Sequence, residues 1–166
     1  MKHLFNRIVF RLTNEFKPLI VHTESIFLDK VWAEIKKKSF EKKVVIWYVM
    51  TPSNYKYFQV LFNLKTSKRD LSGIMRERYR WLIARGEKLE LHVHLSKLMD
   101  ITYSEQEKII SESIKWFEKE LGFKPKEFVP GWWSYNEDTL RILKKYGLKM
   151  VKEKDYNSTH DYTWVL

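Results

Sequence analysis

The sequence predicts an α/β protein in which repeated βα units surround a mainly parallel sheet. Short apolar runs alternate along the chain with stretches in which apolar residues recur at helical spacing. Residues that end strands or helices, such as Pro52 and Gly86, stand between these stretches. The 166 residues are enough for one hydrophobic core, and neither a linker nor an internal repeat divides them. We therefore expect a single domain over residues 1–166.

Up to residue 95 we expect three strands and two helices. Apolar runs predict the first strand at residues 7–12 and the second at 44–49, which is followed by turn residues at 51–54. Residues 89–95 alternate apolar and polar side chains, as a strand requires, and form the third. Apolar residues at helical spacing predict the two helices: Leu28, Val31, Trp32 and Ile35 in one, Leu71, Ile74, Met75 and Leu82 in the other.

In the second half we expect two helices and two strands. Ser104 and Glu107 have the spacing of a capping box and predict the start of a helix that ends at Gly122. Residues 128–129 predict a short fourth strand, and Asn136 is expected to cap a last helix that ends at Gly147. Residues 148–151 predict the fifth strand.

The composition excludes several classes of site. There is no cysteine, so disulfides, thiolate metal sites and cysteine nucleophiles are excluded, and a metal would have to bind His, Asp or Glu. Charges interrupt the first residues and no apolar run is long enough to span a membrane, so we expect a cytoplasmic protein. The net charge of +10 favours attraction to polyanions, but the basic residues are spread along the chain. Nucleic-acid binding therefore remains an alternative.

Polar residues follow the predicted strands where βα folds collect functional loops. His92 and His94 are two residues apart on a strand, so both imidazoles project from one face and can converge on one ion. Two neutral imidazoles suit Zn, Co or Ni better than Mg or Ca. The alternative is polar packing on the sheet. We expect the other histidines, His3, His22 and His160, to be surface or loop residues, although the spacing of His22 and Glu24 also allows participation.

An aromatic loop follows the fourth predicted strand. It contains Pro130, Trp132, Trp133 and Tyr135. Large amphipathic rings in such a loop can cover the end of the core, or they can form a stacking wall for a sugar ring. The sequence leaves both roles open.

Two segments resemble motifs of the NodB-homology domain of polysaccharide deacetylases, the carbohydrate esterase 4-like family. Residues 86–96, GEKLELHVHLS, are similar to the G-H-E-I-G-N-H-x-x-x-H strand, and residues 128–136, FVPGWWSYN, to F-R-P-P-Y-G-x-Y-N. Residues 121–125, LGFKP, look like the L-G-x-K-P exit of the helix between them. The resemblance implies a distorted or incomplete (β/α) barrel, and an activity of metal-assisted removal of N-acetyl groups from a glycan.

The chain departs from this family at several positions. The family's T-F-D-D-G motif, which supplies a base and a metal ligand, would fall on residues 10–15, FRLTNE, where there is no aspartate. Its second histidine would fall on Ser96, and the arginine that orients the base would fall on Val129. Within the resemblance, Glu15 can replace the base, and Asn14 or Glu15 can be the third ligand.

The leading hypothesis is thus a divergent deacetylase-like hydrolase that uses a divalent metal, expected to be zinc. The resemblance implies His92, His94 and Asn14 as metal ligands and Glu15 as the catalytic base. It implies that the sugar substrate contacts the aromatic loop, namely Pro130, Trp132, Trp133 and Tyr135. The alternatives are a noncatalytic NodB-like domain that binds glycan or a protein partner, and a basic nucleic-acid-binding protein.

Overall fold

A computed structural model describes residues 19–37, 45–94 and 98–152, together with the backbone of residues 161–165. Its strands form one six-stranded sheet in the order β5-β4-β3-β2-β1-β6, and every neighbouring pair is parallel. The strands are β1 (Leu19–Thr23), β2 (Val45–Val49), β3 (Lys88–Val93), β4 (Glu127–Pro130), β5 (Lys149–Met150) and β6 (Asp161–Val165). In the described part of the chain β5 and β6 remain edges, so the sheet is open. The predicted α/β class and incomplete barrel are confirmed.

In the described ranges five α-helices connect the strands. They are α1 (Asp29–Lys37), α2 (Tyr55–Phe62), α3 (Lys68–Ala84), α4 (Tyr103–Trp116) and α5 (Glu137–Tyr146). Short helical turns at Pro52–Asn54 and Gly131–Trp133 follow β2 and β4. No helix within the described ranges is both long and apolar enough to cross a membrane.

The structure adds a strand that the sequence does not predict. The strand that pairs with β2 is Leu19–Thr23, which also pairs with β6 on its other side. The strand predicted at residues 7–12 lies outside the described residues. The sequence does not predict β6 or α2.

The side chains of the sheet divide between two faces. On one face Val21, Trp47 and Leu91 are fully buried in the main core beneath the helices. On the other face a smaller cluster contains Ile20, Tyr48, Val129 and Val151. Because neighbouring residues of a strand alternate between faces, His22 and His92 lie on the side of the smaller cluster.

The ends of the helices show where local patterns were correct and where they were not. The capping box of α4 uses Thr102 and Glu105, two residues before the predicted pair Ser104 and Glu107. Both pairs have the same spacing, and the observed one begins the helix at Tyr103. Asn136 caps α5 as predicted.

Candidate metal centre

Glu24, His92 and His94 meet at the carboxyl ends of β1 and β3, which lie on either side of β2 in the sheet. Glu24 follows β1, His92 lies near the end of β3, and His94 follows β3 directly. Glu24 Oε1 lies 3.2 Å from His94 Nε2 and 3.8 Å from His92 Nε2. One ligand atom from each residue lies within 4.8 Å of the others, so the three can surround one ion.

The orientation of His92 fits a metal ligand. Its Nδ1 donates to the main-chain carbonyl of Val129 at 3.0 Å, because a carbonyl can only accept. This bond fixes the tautomer and leaves the Nε2 lone pair directed at Glu24. The buried Nε2 has no hydrogen-bond partner among the described residues. Metal-binding histidines commonly hold one ring nitrogen on a carbonyl and offer the other to the ion.

The separations also fit a zinc-sized ion. Tetrahedral ligands at zinc bond lengths of 2.0–2.2 Å lie about 3.4 Å from each other. The two distances from Glu24 Oε1, 3.2 and 3.8 Å, lie on either side of that value. Small side-chain movements would therefore be enough to bind an ion.

Glu24 is held in an ionised and oriented state. Its second oxygen, Oε2, accepts a hydrogen bond from the Tyr57 hydroxyl at 2.8 Å. Burial by itself raises the pKa of Glu24, but its interactions with the neighbouring His92 and His94 and the hydrogen bond from Tyr57 outweigh it and hold the pKa well below its ordinary value. Burial, together with the Glu24 carboxylate, raises the pKa of Tyr57, which keeps its proton.

His94 is held by close packing around its ring. Trp132 packs edge-on at a ring separation of 4.2 Å, and Tyr57 lies 4.9 Å away. Gly131 lies so close beneath the ring that a Cβ at this position would overlap it. The glycine is therefore required by the position of the His94 ring.

His22 is a third histidine beside this group, contrary to the expectation of a surface or loop position. It is 3% exposed, and its ring lies 4.7 Å from that of His92 and 5.6 Å from that of Tyr48. Burial, with a smaller contribution from His92, lowers the pKa of His22 to about 2. Burial also lowers the pKa of His92. Both rings are therefore neutral near pH 7, the form in which imidazole binds metals.

The aromatic loop follows β4 and reaches the histidines. Trp132 and Trp133 both have left-handed backbone conformations, with φ of 51° and 54°. Such values are strained for bulky residues, and strain of this kind is concentrated at functional sites. Trp132 is 59% exposed, whereas Trp133 is half-buried against the smaller core cluster. Pro130 is buried at the end of β4 and Tyr135 is half-buried.

A cavity of about 750 Å³ lies beside the histidines, between α2 and α4. Tyr57 and Trp132 line it and also contact Glu24 and His94, so the cavity and the possible metal site share two walls. Its other lining residues are both apolar and charged and include Val60, Ile109, Lys56, Glu105 and Lys108.

The structure brings His92, His94 and Trp132 together, as expected from the sequence. Asn14 and Glu15, as well as His3 and His160, lie outside the described residues. The carboxylate found beside the histidines is Glu24, which the sequence singled out only through its spacing from His22. Tyr57 and Gly131 were not identified from the sequence as site residues.

Among known proteins, only solved structures are similar to this chain. No family model and no curated protein matches the sequence. The fold is similar to a family 4 carbohydrate esterase from Streptomyces lividans in complex with acetate, with a TM-score of 0.54 and 12% identity over 81% of this chain. It is also similar to the chitin deacetylase from the fungal pathogen Colletotrichum lindemuthianum, with a TM-score of 0.55 and 13% identity over 84% of this chain.

The chain has a NodB-like fold. A third similar structure is a CE4 family pseudoenzyme from Bacillus anthracis, with a TM-score of 0.55 and 8% identity over 82% of this chain. This chain covers 60% of the Streptomyces structure, 58% of the Colletotrichum structure and 42% of the Bacillus structure. At these identities the likeness shows the fold alone.

Proposed function

We propose that this protein is a metal-dependent amide hydrolase that removes acetyl groups from an N-acetylated glycan. The observation that carries the proposal is the cluster of Glu24, His92 and His94 at the carboxyl ends of parallel strands. Family 4 esterases and a chitin deacetylase are among the structures with the same fold, which supports this substrate class.

Each residue of the cluster has a role in this proposal. Glu24 Oε1 and the Nε2 atoms of His92 and His94 would hold the ion. Tyr57 keeps Glu24 Oε2 occupied, so the carboxylate presents one oxygen to the histidines. A divalent ion at this position supplies a Lewis acid that polarises an acetamide carbonyl. The fit is best for zinc, because two imidazoles and a carboxylate are a common zinc ligand set.

The cavity beside the cluster offers room for the sugar. The exposed ring of Trp132 can stack on a pyranose, while its edge contacts His94. Lys56, Glu105 and Lys108 line the same cavity and can bind hydroxyl groups. Trp132 is therefore the proposed substrate contact, in agreement with the resemblance described above.

Acetate release from chitin oligomers and peptidoglycan fragments, measured with zinc-loaded protein, tests the proposal. We expect slow turnover that is lost in His92→Ala and reduced at least tenfold in Glu24→Gln, because both changes remove a proposed ligand. Glu15→Gln is the informative comparison, because the sequence alone favours Glu15 as the base. Turnover unaffected by Glu24→Gln would contradict the assignment of Glu24.

A noncatalytic domain is the second candidate, and one observation favours it. In the part of the chain that the structure describes, Glu24 is the only carboxylate in the ligand group, so no second acid stands there as a base. The Bacillus structure of the same fold is described as a pseudoenzyme. Zinc binding and glycan binding without acetate release, with any divalent metal, would support this candidate over the hydrolase.

A further inference from the structure

We propose that Asn54 is a positioning residue that fixes His94 in the metal centre. The inference rests on the proposed function, because it concerns one of the three proposed ligands. The Asn54 side-chain amide nitrogen donates to the main-chain carbonyl of His94. Asn54 lies in the turn after β2 and is 40 residues away from His94 in sequence.

The sheet itself does not hold His94 on this side. The register of β2 and β3 ends at the pair of Val49 and Leu91, whereas His94 lies three residues further along the chain. The turn at Pro52–Asn54 occupies the place next to this extension. The Asn54 amide thus supplies to the His94 carbonyl the kind of hydrogen bond that β2 supplies to the main chain of β3.

The environment of Asn54 indicates a specific role for its nitrogen. The side chain is fully buried, and its oxygen has no hydrogen-bond partner among the described residues. A buried amide oxygen without a partner lowers stability, and in native structures such a group requires an explanation. Asn54 starts α2 without a side-chain capping bond, so helix capping does not explain why an asparagine is buried here. The bond from its nitrogen to the His94 carbonyl does explain it, although the oxygen of the same amide is left without a partner in the described residues.

The turn that carries Asn54 is anchored from the other direction. Thr51 Oγ1 lies 2.9 Å from Ser113 Oγ on α4, and Ser53 Oγ also contacts Ser113. These hydroxyl groups tie the turn to a long helix. Asn54 holds the main chain of His94 and Gly131 lies against its ring, so the ligand is restrained on two sides.

Groups that orient a metal ligand typically change metal affinity 10–100-fold when they are removed. We therefore expect Asn54→Ala to weaken zinc binding by about that factor and to shift the visible absorption bands of bound Co²⁺. Asn54→Ser is the second variant, because serine suits the start of a helix but its hydroxyl is too short to make the same bond. Zinc affinity is measured by competition with a chromophoric chelator.

Gln106→Ala is the matched control. It removes another buried side-chain amide whose nitrogen donates to a main-chain carbonyl, that of Ile101 at 3.1 Å. Its other side-chain hydrogen bonds within the described residues are with Asn136 and Thr139. Thermal unfolding of the metal-free proteins records the stability lost in each variant. Gln106→Ala should lower the melting temperature, keep the zinc affinity within roughly twofold of the wild-type value and leave the Co²⁺ bands unshifted.

A metal-free measurement separates this inference from the proposed function. The ring resonances of ¹³C,¹⁵N-labelled histidine are followed by NMR, and the His94 resonances should shift in both Asn54 variants but not in Gln106→Ala. If wild type binds neither zinc nor Co²⁺, the metal centre is wrong, and movement of the His94 resonance would still support the positioning role. An unmoved His94 resonance in both Asn54 variants, with zinc affinity at the wild-type value, would overturn the inference.

Discussion

The Tyr57 hydroxyl donates to Glu24 Oε2 at 2.8 Å and leaves Glu24 Oε1 facing both histidines. A side chain from α2 thus orients the carboxylate that follows β1. The same tyrosine ring contacts His94 and lines the neighbouring cavity. Two of the three proposed ligands therefore depend on one aromatic residue.

Tyr57→Phe should weaken zinc binding roughly tenfold, because the carboxylate loses the bond that selects its orientation. Tyr79→Phe is the matched control, since the Tyr79 hydroxyl donates to the main-chain carbonyl of Met50 in the core, at 2.7 Å. Each change should lower the free energy of unfolding by about 1 kcal/mol. Only Tyr57→Phe should alter the zinc affinity in calorimetry; an equal effect of both variants would contradict the role of Tyr57.

Gly131→Ala should disturb the His94 ring. The added methyl group overlaps the ring, so the loop or the histidine must move, at a cost of about 1–3 kcal/mol in unfolding free energy. Zinc affinity should fall with it. Gly73→Ala is the control, because Gly73 lies inside α3 with open space around it and alanine is the better helix former. Chemical denaturation should show Gly73→Ala to be more stable than wild type by up to about 1 kcal/mol.

The stability of the metal-free protein should decrease as the pH falls from 7 to 4.5. Burial lowers the pKa of His22 from its ordinary 6.5 to about 2, so below pH 6.5 the unfolded chain binds a proton that the folded chain does not. The loss is at most about 1.4 kcal/mol per pH unit for each such histidine. Glu24 adds to this loss of stability only below about pH 4.5, its ordinary pKa, because folding lowers its pKa and only the unfolded chain then takes up the proton.

The variant His22→Gln measures how much His22 contributes to this loss of stability at low pH. Its unfolding free energy should fall less steeply over the same pH range, with His92, whose pKa is lowered too, accounting for the remaining slope. Denaturation with urea at pH 7, 5.5 and 4.5 measures both proteins. A wild-type stability that is constant between pH 7 and 5 would show that the histidines do not remain neutral in the folded state.

Trp132→Gly should separate sugar binding from stability. The glycine relieves the left-handed strain at φ 51°, worth about 1–2 kcal/mol, which offsets the lost contact with His94. The affinity for chitin oligomers should fall about tenfold, as expected for loss of one aromatic contact. Val60→Ala is the control, since Val60 lines the same cavity and is 88% exposed. Equal oligomer affinity of wild type and Trp132→Gly would exclude Trp132 as a sugar contact.

Much of the sheet is predictable from the sequence because β2, β3 and β4 are continuous apolar or alternating segments. His92 and His94 stand out for the same reason, as polar residues in an otherwise apolar strand. In the structure the rings of His92 and His94 lie 4.9 Å apart, and Trp132 lies 4.2 Å from His94. The Asn136 cap of α5 can also be predicted from the sequence, because it depends on a local hydrogen bond.

The sequence does not identify Glu24 as a ligand, because its position beside the histidines depends on long-range strand pairing. The apolar run at residues 7–12 is a stronger local strand signal than LIVHT at Leu19–Thr23, yet it is the latter that pairs with β2. The pairing of Leu19–Thr23 with β2 brings Glu24, the residue after β1, beside the histidines. Tyr57 and Asn54 cannot be identified from the sequence either, because their roles arise from contacts with residues at least 33 positions away.

The central claim is that Glu24, His92 and His94 bind one divalent ion, and anomalous diffraction from crystals grown with zinc tests it most directly. We expect a single strong peak at the zinc edge, about 2.0–2.2 Å from Glu24 Oε1, His92 Nε2 and His94 Nε2. A crystal of His92→Ala grown in the same way should lose most of that peak. A zinc peak bound elsewhere, or no peak at these three residues with zinc in excess, would contradict the account.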